Sequence, residues 1–284
     1  MTTPVPTPAT TANPGRRASV QPYGFGRLVA AEWIKFRSLR SNWWILAAGV
    51  LFVPLFAVSR VVSVARVPEA AGTPGMVGAV YVTSGVALTQ LALCTLAVLA
   101  ITGEHGTGQI RSTFAAAPRR LLALAAKLVV TVLVVLGASV VAVALAWAAS
   151  SPWFEETGMS VDLLRAEDAR IVLGTPLYLA AVSALAFGVG AIVRNSAAGV
   201  AFVLGLLLVV ENVLSLVPWT PVQTFAAHLP ATAGSELLQS DAVGSVLTTS
   251  SSSALSPWGG FTVLLAWVAT VLVVAGVLVR RRDA

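Results

Sequence analysis

Six stretches of the chain are long and apolar enough to cross a membrane, and no other feature limits the fold so tightly. They lie at about 43–64, 77–102, 121–149, 171–193, 197–217 and 261–279. A spanning helix needs roughly 20 mainly apolar residues, each rising about 1.5 Å. Lipid offers the backbone no hydrogen-bond partner, so each segment must satisfy its own peptide groups. Runs of this length suit helices, whereas barrel strands need only about 9–11 residues. The richness in Val raises β propensity without changing that outcome. The expected fold is an all-α integral membrane protein of six transmembrane helices.

Composition agrees. Of 284 residues, 57% are hydrophobic and 11% charged, against roughly 25% charged in soluble domains. So few charges cannot cover a soluble surface, which excludes a cytosolic enzyme, a disordered chain and a secreted disulfide scaffold. The one cysteine, Cys94, lies inside an apolar run, so no intrachain disulfide and no cysteine metal site is expected. His105 and His228 are far apart in sequence, and lysine occurs only at 35 and 127.

The net charge of +6 raises the question of nucleic acid, but the placement of the charges answers it. With the N-terminus inside the cell, only Arg60, Arg66, Arg165 and Arg170 of the 18 basic residues fall outside. Acids mirror them: Glu69, Glu155, Glu156, Asp162, Glu167, Asp168, Glu236 and Asp241 all fall outside. The positive-inside rule selects this orientation, with both termini cytoplasmic in a cell membrane. The basic excess then reflects topology and contact with anionic membrane lipid, not nucleic acid.

Residues 1–21 are rich in Thr, Pro and Ala without apolar periodicity, and are expected to form a disordered cytoplasmic tail and not a cleavable signal. The remainder, 22–284, reads as one six-span unit. Its longer outer segments are about 150–170 and 218–258, the second carrying Trp219, Trp258 and a serine run. A short surface or re-entrant helix is expected around 222–229. No internal repeat is visible, so an inverted-repeat carrier gains no support.

Two inner segments are candidates for function. At 100° per residue over 24–40, Phe25, Leu28, Val29, Trp33, Phe36 and Leu39 share one side and Arg27, Arg37 and Ser38 the other. This predicts an N-terminal amphipathic helix on the inner membrane surface. Glu32 points into the apolar side: either it pairs with a neighbour such as Lys35, or it contacts a cytoplasmic partner. The loop 103–120, GEHGTGQIRSTFAAAPRR, places Glu104 at the membrane, then glycines, then a short helix over 109–117 stopped by Pro118. It reads either as a basic stop-transfer loop or as a helix with Ile110 and Phe114 offered to a separate motor subunit.

These segments resemble the integral-membrane permease subunit of ABC-2 type exporters. Residues 31–41, AEWIKFRSLRS, are similar to that family's E-x-x-K-x-R pattern, through Glu32, Lys35 and Arg37. Glu104, Gly108, Ile110 and Arg111, followed by Pro118, Arg119, Arg120 and Lys127, resemble its loop pattern, with Gln109 where Thr is usual. The resemblance covers about 22–284, mostly by layout. It implies an N-terminal connecting helix and a coupling helix in the first inner loop. Glu32, Lys35, Glu104, Gly108, Ile110, Arg111, Phe114 and Pro118 would then couple the spans to an ATPase. It implies as partners two copies of an ATP-binding subunit and a second permease subunit, in a homo- or heterodimer.

The absences fit that expectation. No G-x-x-x-x-G-K-S/T is present and neither lysine follows a glycine, so no ATP site is expected in this chain. No H-E-x-x-H or G-x-S-x-G occurs either, so no enzyme activity and no cofactor is expected. Glu211 is the one acid well inside a span, roughly 21 Å along a path of about 30 Å. At a cost of about 2.5–3.5 kcal/mol near the centre, it must face protein or water. With Asn212 it either lines a translocation path or makes a structural hydrogen bond. Ala180, Ala184 and Gly188 read as close helix packing. Thr83, Ser84, Thr89, Gln90 and Thr95 read as bonded to their own backbone, or else as lining a path. The function expected is a permease subunit of an ATP-driven exporter. A non-transporting membrane scaffold or sensor and an ion-coupled secondary carrier are the alternatives.

Overall fold

The computed structural model describes residues 24–67, 76–106, 120–240 and 255–281. Within them all regular structure is helical. Helix α1 (Phe25–Ser38) precedes α2 (Arg40–Ala65), a short α3 (Gly78–Val82), α4 (Val86–Gly106) and α5 (Arg120–Ser150). A one-turn α6 (Phe154–Thr157) leads to α7 (Ala166–Val193). The fifth span joins α8 (Ser196–Leu204), a π-helical turn (Gly205–Val210) and α9 (Glu211–Leu216). Then come α10 (Thr220–Ala227), α11 (Pro230–Ser235) and α12 (Pro257–Arg281). Six of these segments are long and apolar enough to cross a membrane. The tail 1–21, the coupling residues Gly108, Ile110, Arg111, Phe114 and Pro118, and the serine run lie outside the described residues.

The second predicted span, 77–102, is interrupted. The chain turns at Thr83–Gly85, and the crossing window runs Val86–Glu104. Thr83 returns its hydroxyl to the carbonyls of Ala79 and Val80, which ends α3 locally. Gly85 then lies against the backbone of Phe52 and Val53 in α2, where a Cβ would strike the main chain. Only glycine permits that approach.

Helix α7 is the hub. Its apolar window is 83% buried, against 28% in α2, 22% in the fifth span and 17% in α12. Tyr178, Leu179, Val182 and Phe187 are fully enclosed between α4, α5 and α12. Small residues permit this closeness. A Cβ on Gly188 would come within 2.8 Å of Val271 in α12, and one on Gly190 within 2.8 Å of Ile101 in α4. The Ala180, Ala184 and Gly188 spacing is thus a packing stripe. The outer spans leave Leu51, Leu133, Phe202 and Val273 exposed. In water such a surface would drive aggregation, whereas lipid tails cover it without cost.

Helix α1 forms where expected, but its two faces are less distinct than the wheel predicts. Phe36 is buried and Val29 packs on the core, yet Phe25, Trp33 and Ile34 are exposed beside Arg27 and Arg37. The buried side is defined by Glu32 together with Phe36, so polar contact sets its orientation as much as apolar area does.

Gly85→Ala should lower stability by about 1–3 kcal/mol, because a methyl group would have to displace backbone. Gly137→Ala on α5, which meets nothing within 4 Å, should be neutral or stabilising by about 0.5–1 kcal/mol. Thermal unfolding of both variants in one detergent checks this.

Candidate functional site

Alternation of the spans brings the start of α2, the end of α4 and the start of α5 to one end of the bundle. Helix α1 lies across that end and packs chiefly on α5. Helices α1, α4 and α5 each contribute charge to one site. Lys35 Nζ lies 2.8 Å from Glu32 Oε1 and 3.1 Å from Glu104 Oε1. Lys127 Nζ lies 2.5 Å from Glu32 Oε2 and 2.9 Å from Glu104 Oε1. Both lysines of the chain are therefore used here, and the four charges sum to zero.

The cluster is largely dry. The side chains of Glu32 and Glu104 are 7% and 8% exposed and that of Lys127 is 11%, while Lys35 at 31% is the wet member. An ammonium is a compact point charge with three donors, which suits two carboxylates approaching from different helices. Burial works against the Lys35 ammonium. The hydrogen bonds to Glu32 and Glu104 and their negative charges outweigh it and hold its pKa above the ordinary 10.5. The cluster borders a cavity of about 380 Å³ whose other walls include Phe36, Asn42, Leu99 and Thr131. Asn42 Nδ2 donates to the Phe36 carbonyl at 3.1 Å and secures the corner between α1 and α2. Glu104 Oε2 is buried without a partner among the described residues.

Of the two readings of Glu32, the geometry gives pairing, with a partner 95 positions away as well as the local Lys35. The structure gathers Glu32, Lys35 and Glu104 into one site. Lys127, quoted in the loop pattern but not counted among the site residues, is the fourth member. The signal for it was present: in a chain that otherwise uses arginine, the two lysines stand out, and one of them lies two turns inside a span.

Glu211 lies at the opposite end and belongs to a separate construction. Its carboxylate accepts from the backbone N–H of Ala231 at 3.1 Å and of Thr232 at 2.6 Å, and from the Thr232 hydroxyl at 2.8 Å. The two backbone groups are first-turn N–H groups of α11, which lack intrahelical acceptors, and a carboxylate there also complements the positive end of the helix dipole. The turn after α11 is held by Arg170, which donates to the carbonyls of Glu236 and Leu237 at 3.3 and 3.1 Å. Gly234 seats against Tyr178, and Tyr178 donates to Gln90 Oε1 at 2.5 Å. Asn212 is exposed and donates to the carbonyls of Leu207 and Leu208, within the π-turn. The observed contacts of both residues are structural hydrogen bonds. Helix formation near 222–229 is found as α10, but the buried α11 and the roles of Thr232 and Arg170 carried no periodic signal.

In the second span, Thr95 bonds its own helix, the first of the two readings of that residue, and Thr102 does the same. Thr89 departs from it, donating across to the Gly49 carbonyl in α2 at 2.9 Å.

Lys127→Met leaves two buried carboxylates short of compensation and should cost about 3–5 kcal/mol, with Glu32→Gln in the same chain restoring part of the loss. Unfolding in detergent measures both. Because the folded pKa of Lys35 is raised, its contribution is complete below about pH 10.5 and fades as pH rises through the folded value. The stability difference between wild type and Lys35→Met should therefore stay level from about pH 8 to about pH 10 and shrink above that.

No family model matches the chain, and no curated protein matches it.

Proposed function

We propose that this chain is the membrane-spanning permease subunit of an ATP-driven exporter, an ABC-2 type permease. It would work as a homo- or heterodimer of permease subunits with two copies of a separate ATP-binding subunit. The chain itself would carry no catalysis. The observation that carries this reading is the cluster of Glu32, Lys35, Glu104 and Lys127. It fastens α1 to both helices that flank the loop 107–119. A push delivered to that loop by a partner would pass to α1, α4 and α5 together, since none of the three moves without breaking buried ion pairs. Coupling of this kind needs contacts that differ between two states. Four side chains with several pairings open to them can supply that difference.

The same arrangement would serve a sensor scaffold, which predicts no nucleotide-linked change. An ion-coupled carrier needs a titrating group on a path, whereas Glu211 is tied by three hydrogen bonds to Ala231 and Thr232, which favours the exporter.

The test purifies the full chain from its own cells in mild detergent and reconstitutes it in vesicles. An ATP-hydrolysing chain should remain attached, and its hydrolysis rate should depend on this subunit. Glu32→Gln with Lys127→Met should lower that dependence at least tenfold while attachment persists. Transport driven by an ion gradient without nucleotide, abolished by Glu211→Gln, would instead establish the carrier. Absence of any attached ATPase together with absence of nucleotide-linked motion would establish the scaffold.

A further inference from the structure

At the basic end of the bundle, α5 and α12 border an open groove of about 390 Å³. Leu121, Leu124 and Leu128 form one wall, Leu272 and Val277 the other, and Arg280 closes the end. A Cβ on Gly276 would sit 3.6 Å from Leu121 Cδ2, so the missing side chain leaves the groove open at mid-length. Arg280 and Arg281 are exposed and make no ion pair among the described residues.

The lining names the ligand. Aliphatic walls recognise a hydrocarbon chain and nothing more polar. A guanidinium at the end of such walls recognises a phosphate, whose oxygens it meets in a two-pronged hydrogen bond. A single molecule with both parts is a phospholipid, and two adjacent guanidiniums with no described acid opposite them favour one of net negative charge. A second copy of the chain fits poorly. At this end the described acids are Glu32 and Glu104, and both are already held by lysines. The other described acids outside the spans, such as Glu155, Glu156 and Glu167, lie at the far end. We infer that the α5–α12 groove is a binding site for one anionic phospholipid, with an acyl chain along the leucines and the phosphate on Arg280. The inference rests on the membrane-spanning architecture alone and stands whether or not the chain transports.

The experiment places the full-length protein in phosphatidylcholine nanodiscs with a minor fraction of phosphatidylglycerol. It counts lipids retained after detergent extraction by native mass spectrometry. Wild type should keep one phosphatidylglycerol in preference to phosphatidylcholine. Arg280→Gln should reduce that preference about fivefold, the effect of one basic residue at an anionic surface. Gly276→Leu, which fills the groove, should remove the retained lipid whatever its headgroup. Arg37→Gln, at the same end but on α1, should leave the preference unchanged. Equal losses from Arg37→Gln and Arg280→Gln would reduce the effect to diffuse surface attraction and overturn the site. So would retention of the same lipid by the Arg280 variant. Arg280 is exposed near the helix end, so its replacement does not threaten folding.

Discussion

Four charges, three of them largely held out of water, fix how α1 lies against α4 and α5. Each ammonium touches both carboxylates, so removing any single member leaves a charge short of compensation. Such a site adds little net stability over an apolar one of equal volume, since desolvation offsets most of the attraction. Its effect is on specificity. A helix as short as α1, with polar and apolar residues mixed on its exposed side, has many ways to lie on a membrane surface. Only one of them brings Glu32 to Lys127.

The other end is organised by backbone satisfaction. Helix α11 and the turn after it are buried within the bundle, where unpaired peptide groups would be costly. Glu211 meets the free N–H groups at one end and Arg170 the carbonyls near the other. The π-turn before Glu211 changes the helical phase of the residues that follow it. A charge inside a span thus has a structural explanation: it caps a short helix that packs back into the bundle.

What the sequence made legible divides along the range of the interactions. Apolar runs report spans directly, because length and hydropathy are local quantities, and all six were found to within a few residues apart from the Thr83–Gly85 break. That break depends on the backbone of α2 passing over Gly85, a contact between distant segments. Pairing of Glu32 with Lys35 is visible at a spacing of three. Pairing of Glu32 with Lys127 is not, since it requires α1 to lie across α5. Glu211 was recognisable as anomalous by its depth, but its partners on α11 lie in a segment with no apolar period of its own. Small residues in α7 announced close packing, though not which neighbours would fill the space.

The two ends differ in how readily they rearrange. Glu211 bonds mainly to peptide N–H groups, which are fixed in the helix they cap, so shifting it means shifting α11 as a body. Lys35 and Lys127 are flexible four-carbon stems, and their partners are carboxylates that accept from several directions. Lys35 is already part-exposed and reaches water with small rotations. Re-pairing at this end costs the exchange of one buried ion contact for another, whereas the far end must release a capped helix and the Tyr178–Gln90 bond beneath it. A conformational change that begins where charges can trade partners, and meets greater resistance where peptide groups are pinned, has its direction set by chemistry. The basic end is thus the one whose contacts exchange more readily, and α4 and α5 join it to α7, which packs against both of them.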